Sequence, residues 1–175
     1  MSILKKIKIN KESGVLIWIT GLSGSGKTSL AHEIHKFVEG KIGPTVVISG
    51  DSLREIFNYK KFDKKSRLKY AMTYASFCRK ITSKKLNIIF ATVSLFHKVR
   101  LWNKNNIKNY LEIYIESNIE KLIKKKKKFF YKTRLKNIVG KNIKAEFPKK
   151  LNIIIKNNFD KSIPSLKKEL IKKLN

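Results

Sequence analysis

Gly21-Leu22-Ser23-Gly24-Ser25-Gly26-Lys27-Thr28 carries the spacing G-x-x-x-x-G-K-[ST], a pattern that can cradle phosphate. Glycines let successive backbone N–H groups point inward around an anion, where β-carbons would obstruct them. A helix opening directly after the loop adds its N-terminal N–H groups and dipole to the same anion. In such a loop Lys27 bridges β- and γ-phosphate oxygens, and the Thr28 hydroxyl ligates Mg²⁺. Gly21 through Thr28, with Ser29, is thus the candidate segment for binding ATP. A second reactive side chain follows in Ser49-Gly50-Asp51-Ser52-Leu53-Arg54. Asp51 leaves the carboxyl end of an apolar run, where ligands bind in open α/β sheets. There it orients Mg²⁺ or accepts a proton from an acceptor hydroxyl. Alternatively, Asp51 or Ser52 caps a helix, and the two roles are compatible.

These residues need elements to hold them. Gly14–Thr20 is a nearly continuous apolar run, as expected of a strand buried in a parallel sheet. After the glycine turn, Leu30, Ala31, Ile34, Phe37 and Val38 recur at helical spacing. Gly40, Gly43 and Pro44 break that helix, and Thr45–Ser49 reads as a second strand. Asp63 can cap a helix over about Lys64–Lys84, with Leu68, Met72, Ala75 and Arg79 along one side. Asn87–Val93, Tyr110–Ile115 and Leu151–Ile155 supply three more strands. Ser117-Asn118-Ile119-Glu120 reads as a capping box. Ile163, Leu166, Leu170, Ile171 and Leu174 form a terminal amphipathic helix. Strands alternating with helices predict an α/β fold with a central parallel sheet flanked by helices. The stretch Lys124–Lys150 is strongly basic without steady period and reads as a mobile lid segment. Residues 1–13 read as an N-terminal extension, and 14–175 as one domain.

Composition limits the alternatives. The chain has 175 residues, 42% apolar, which excludes a disordered tail. No apolar run is long enough to cross a bilayer, no signal peptide is visible, and the expectation is a cytoplasmic protein. The single cysteine, Cys78, excludes an internal disulfide framework, and within a helix it reads as a buried thiol. His32 and His35 lack zinc-pair spacing. The net charge of +29 invites a nucleic-acid reading. Yet Lys outnumbers Arg 36 to 5, alongside abundant Ile and Asn, the signature of A/T-rich codons. Readers of nucleic acid lean on Arg for its planar fork, so nucleic acid is not the expected partner. Residues 1–60 carry nine basic and five acidic side chains, residues 61–175 thirty-two and seven. That asymmetry favours an anionic ligand near the second half. The loop alone does not separate kinase from switch or motor, but the chain is short for a motor and has no guanine-reading N-K-x-D.

G-L-S-G-S-G-K-T-S-L-A (21–31), followed by S-G-D-S-L-R (49–54), resembles the adenylylsulfate kinase family, with its G-L-S-G-S-G-K-[ST] and D-G-D-N-x-R. The likeness continues through Phe62 and Arg67, through Ala91–Phe96, and into the lid at Lys132, Arg134, Gly140, Glu146 and Pro148. It implies a P-loop kinase that phosphorylates the ribose 3′-hydroxyl of adenylyl sulfate from ATP. Under it, Lys27 and Asp51 are catalytic, and Thr28 and Asp51 hold Mg²⁺. Arg54, Arg67 and Lys132 hold the anionic acceptor, Phe62 stacks its base, and the lid closes over both substrates. Ser94 falls where some members carry a phosphoryl-accepting serine; a plain strand-end hydroxyl is the alternative. Members of the family often form homodimers. Departures gather on the acceptor side. Ser49 and Ser52 replace an Asp and an Asn, Tyr70 an Asn, Met72 and Thr73 two arginines, His97 an Arg, and Leu95 a proline. In the lid, Ile138 stands for an aromatic and Asn142 for an Asp. The segments at 94–103 and 137–143 are more similar to a divergent branch that phosphorylates cytidine diphosphoramidate in surface-glycan pathways. An acceptor from that branch is the alternative expectation. A nucleic-acid-binding protein and an inactive nucleotide-binding scaffold are rivals of another class.

Overall fold

The computed structural model describes residues 10–124, 137–148 and 153–175. Its five strands are β1 (Val15–Gly21), β2 (Thr45–Ser49), β3 (Asn87–Thr92), β4 (Asn109–Glu116) and β5 (Ile153–Lys156). They pair in the order β2-β3-β1-β4-β5, and every pair is parallel. The central strands are apolar throughout because both of their faces are covered. Val15, Ile17 and Ile19 of β1 face α1 (Lys27–Ile42) and α6 (Ile163–Leu174), in one cluster with Leu30, Ile34, Leu166 and Leu170. Leu16 and Trp18 face the opposite layer, formed by α2 (Gly50–Ile56), α3 (Lys64–Thr82) and α4 (His97–Asn106). Trp18 is fully buried and stacks on Phe90 of β3 at 5.0 Å between ring centroids. Burying each such large side chain contributes roughly 1.5–3 kcal/mol.

Asparagines tie the lower edge of the sheet. Asn87 accepts from the Val15 amide at 2.9 Å and donates to Ile42 O at 2.9 Å. Asn109 accepts from the Asn10 amide and donates to the Asn10 and Ser13 carbonyls. Residues 10–13 of the expected N-terminal extension are therefore attached to the domain.

The fold differs from three expectations. The buried side of α3 is Tyr70, Ala71, Tyr74, Ala75 and Cys78, and Arg79 is exposed, because aromatic side chains dominate its packing on the sheet. The helix α5 (Ile119–Lys124) is capped by Asn118, whose Oδ1 accepts from the Glu120 and Lys121 amides, not by a Ser117 box. The lid region is not wholly a flap. Ile138, Val139 and Ile143 are buried with Leu22, Leu95, Tyr114 and Leu122 in a third core cluster beneath the carboxyl edge of the sheet.

Candidate functional site

A parallel sheet sends every strand's carboxyl end to one edge, and a cleft of about 970 Å³ lies along it. The phosphate-binding loop turns from β1 into α1 with Gly24 at φ 85° and Gly26 at φ 90°, conformations that side chains rarely adopt. Gly26 occupies the N-cap of α1 and offers no side-chain hydrogen bond, so the helix's first N–H groups remain for an anion. Lys27 is buried, and its Nζ donates to Leu22 O at 2.7 Å. Ser23, Gly24, Gly26, Lys27, Thr28 and Ser29 line the cleft, with Thr28 and Ser29 exposed to it. Gly21, Leu22 and Ser25 are buried beneath and support the loop's shape.

Asp51 reaches the same cleft from the end of β2, which β3 separates from β1. Ser49 takes the N-cap of α2, accepting from the Ser52 amide at 3.0 Å, so the Asp51 carboxylate lies exposed on the wall rather than capping the helix. The close approach depends on Gly50, where a Cβ would fall 2.6 Å from Thr92 Oγ1 of β3. Hard oxygens from Thr28 and Asp51 thus border one space. Among the described residues no group of three His, Cys, Asp or Glu could hold a metal alone. That donor set fits Mg²⁺, which takes one or two protein oxygens and completes its octahedron with water and phosphate.

The other half of the cleft is aromatic and cationic. The Arg54 guanidinium lies 4.6 Å and that of Arg67 5.3 Å from the Phe62 ring centroid. Arg67 Nε donates to Phe62 O at 2.7 Å and its Nη2 to Asn137 O at 2.9 Å. Tyr70 lines the cleft and stacks face to face on Tyr59, centroids 3.9 Å apart. Burial pushes the Tyr74 phenol up to about 12, so it is neutral at any working pH. Ile138 and Val139 also line this side.

The structure therefore brings Lys27, Thr28, Asp51, Arg54, Phe62 and Arg67 to one cleft. It does not bring Ser94 there. That residue is 1% exposed, lies outside the lining and accepts a hydrogen bond at its carbonyl from Thr20 Oγ1. A hydroxyl so buried cannot meet a phosphoryl group without the chain opening. Lys132 lies outside the described residues. Cys78 is buried, which pushes its thiol well up, and it has no access to the cleft.

Sequence reasoning missed the wall beside the phosphate loop. Asn157, Phe159, Lys161, Ser162 and Ile163, after β5, line the cleft. Asn157 Nδ2 donates to Ser25 O at 2.9 Å, and its Oδ1 accepts from the Phe159 amide, which holds Phe159 at φ 65°. The wall's place after a strand of a parallel sheet is the one signal that it meets this edge, and the turn at Phe159 carries none.

Comparison with known proteins agrees with this geometry. Residues 13–156 match the family model described as adenylylsulphate kinase. A cytidine diphosphoramidate kinase of Campylobacter jejuni is 31% identical over 168 residues, covering 94% of this chain and 98% of that protein. An adenylyl-sulfate kinase of Clostridium kluyveri is 27% identical, covering 87% of this chain and 80% of that protein. The Mycobacterium tuberculosis APS kinase, solved in complex with AMPPNP and APS, shares the fold. Its TM-score is 0.79 at 23% identity, over 93% of this chain and 98% of that one.

Proposed function

The chain belongs to the adenylylsulphate kinase family, is a phosphotransferase of the nucleotide-kinase type, and we propose that it moves the γ-phosphoryl group of ATP to a hydroxyl of cytidine diphosphoramidate. The observation that carries this reading is the composition of the acceptor wall. Phe62, Arg54 and Arg67 offer one stacking face and two cations, while Ile138 lines the same cleft as an aliphatic surface. A pyrimidine needs less stacking area than a purine, and the two cations match two anionic phosphoryl groups. The more similar of the two kinases compared, with nearly all of its length covered, carries the same substrate in its name. Adenylyl sulfate is the second reading, favoured by the family match and by the survival of Phe62, Arg54 and Arg67.

In this reading the backbone N–H groups of Gly24–Thr28 and the uncapped start of α1 hold the donor phosphates. Lys27 leaves the Leu22 carbonyl for the β- and γ-phosphate oxygens, where its charge offsets the negative charge spread over the transferring group. Mg²⁺, held by Thr28 and oriented by Asp51, supplies further charge neutralisation when bound. In the same reading Asp51 accepts the acceptor's hydroxyl proton. Arg54 and Arg67 fix the acceptor's anionic groups, and Phe62 stacks its base. Most of the acceleration comes from positioning two substrates in one cleft. The protein thus works among small nucleotides, most simply as a cytoplasmic enzyme, and among the described residues no helix is long and apolar enough to cross a membrane.

The test is ADP release from Mg²⁺-ATP with cytidine diphosphoramidate and adenylyl sulfate in parallel. Turnover with the cytidine compound, at least about tenfold above adenylyl sulfate in kcat/KM, is expected. The reverse preference transfers the assignment to sulfate activation. Silence with both, alongside ATP binding, overturns the kinase reading in favour of a scaffold.

A further inference from the structure

Arg100 of α4 is buried, which arginine seldom is unless its charge is engaged. Its Nη2 donates to Glu146 O at 2.6 Å and also meets His97 Nδ1. Its Nε faces Glu112 Oε1 of β4 at 3.7 Å. Glu146 is held from other directions too. Its amide donates to Leu95 O at 3.0 Å, and its Oε2 accepts from the His97 amide at 2.6 Å. That last contact caps α4 from outside, because Phe96 at its N-cap has no side-chain oxygen to offer.

Glu146 belongs to the stretch 137–148, which carries one wall of the acceptor cleft. From Glu146 the chain runs back to a tight turn closed by Gly140 N to Ile143 O at 2.8 Å and Ile143 N to Ile138 O at 3.0 Å. Ile138, Val139 and Ile143 pack into the third core cluster, and Asn137 O receives Arg67 Nη2 at 2.9 Å. Neither Arg100 nor Glu146 lines the cleft. We infer that Arg100, backed by Glu112, is a positioning residue that anchors residues 137–148 through Glu146 and so sets where Ile138, Val139 and Arg67 meet the acceptor. The first half of the phosphate loop packs on this segment through Leu22, whereas its second half is held by a separate stitch from Asn157 to Ser25. The inference rests on the kinase reading for its kinetic part, while the anchor is measurable without turnover.

Arg100→Met keeps much of the side chain's bulk and removes its donors. Acceptor KM is expected to rise roughly tenfold, with the KM for ATP held within about twofold. Amide hydrogen exchange should accelerate at 137–148 and stay unchanged at 25–28, which is held from Asn157. If Arg100→Met does not fold, Glu146→Ala removes only the carboxylate that caps α4. It should give the same pattern at smaller amplitude, with Glu146→Gln, which still offers an oxygen to the His97 amide, returning near wild type. An equal rise in both KM values with faster exchange throughout would reduce Arg100 to general support and overturn the inference. Unchanged exchange at 137–148 would also overturn it. If wild-type protein phosphorylates neither nucleotide, the functional reading fails by itself, and the exchange pattern alone decides the anchor.

Discussion

Lys27 is a cation buried against a carbonyl that belongs to its own loop. Its ammonium sits on the first residue of α1, beside the glycine loop and the helix N–H groups that already favour an anion, which is the physical reason to place phosphate there. Lys27→Ala is expected to lower kcat/KM for ATP by at least about a hundredfold, the cost of removing one preorganised donor from a charge-developing site. ADP release measures it, and unchanged turnover would remove Lys27 from the mechanism. Asp51→Asn should keep nucleotide affinity within a few-fold and reduce kcat by roughly a hundredfold or more, because the amide neither accepts the proton nor orients the metal as well. A Kd that collapses along with kcat would point to a binding role alone. Glu112 makes a residue-scale prediction about pH. Burial pushes its carboxyl from the ordinary 4.5 up to about 7, and the Arg100 guanidinium at 3.7 Å offsets only part of that. The folded protein then keeps a proton that the unfolded chain has already released, so this group's contribution to stability declines from pH 4.5 to about 7. Glu112→Gln lacks the titration and should gain on wild type across that window, by a swing on the order of 3 kcal/mol. Thermal melts of both proteins from pH 5 to 8 test this; a constant difference would show that Glu112 is ionised throughout.

Gly14 shows how one element constrains the next. A Cβ there would lie 1.9 Å from Leu86 O, just before β3, while its amide donates to Thr82 O at 2.8 Å. The backbone carbonyl cannot rotate away, so Gly14→Ala must push β1 from the turn that delivers β3. We expect a loss on the order of 2–3 kcal/mol, read as a fall in Tm of several degrees. An unchanged Tm would show that the turn yields freely. The strands themselves were legible in the sequence because burial on both faces forces continuous apolar runs such as Val15–Ile19 and Ile88–Ala91. The phosphate loop was legible because its backbone shape demands glycine at Gly24 and Gly26. Helix α4 was not, since its ten residues bury only Val99, Arg100 and Asn103, two of them polar, and expose Leu101. Its helical state depends on tertiary partners at Glu146 and Glu112. The root of the lid was hidden for a similar reason. Ile138, Val139 and Ile143 have no period of their own and are buried by side chains from β4, α5 and the phosphate loop. The wall at Asn157–Ile163 depends on a phenylalanine with positive φ, a conformation no composition rule assigns.

At the scale of the whole molecule, the net charge of +29 acts on stability and on catalysis with opposite signs. Self-repulsion among so many lysines works against the compact state, whatever its origin in codon usage. The cleft shares the bias, because among the described residues Lys27, Arg54, Arg67 and Lys161 line it against the single carboxylate of Asp51. Such a field draws polyphosphate and phosphoryl groups toward the carboxyl edge of the sheet before any contact forms. Added salt shortens the Debye length from about 14 Å near 50 mM to about 4 Å near 500 mM, and both effects should fade together. Over that range kcat/KM for the anionic substrates is expected to fall by roughly tenfold, carried by the association step, while Tm holds or rises. Stopped-flow binding of a fluorescent ATP analogue beside thermal melts separates the two. A Tm that falls with salt would mean that pairs such as Lys167–Glu33 and Lys161–Glu169 outweigh the repulsion. A salt-independent association rate would mean that the lysine excess lies too far from the cleft to steer anything, which leaves the four lining cations to act only in contact.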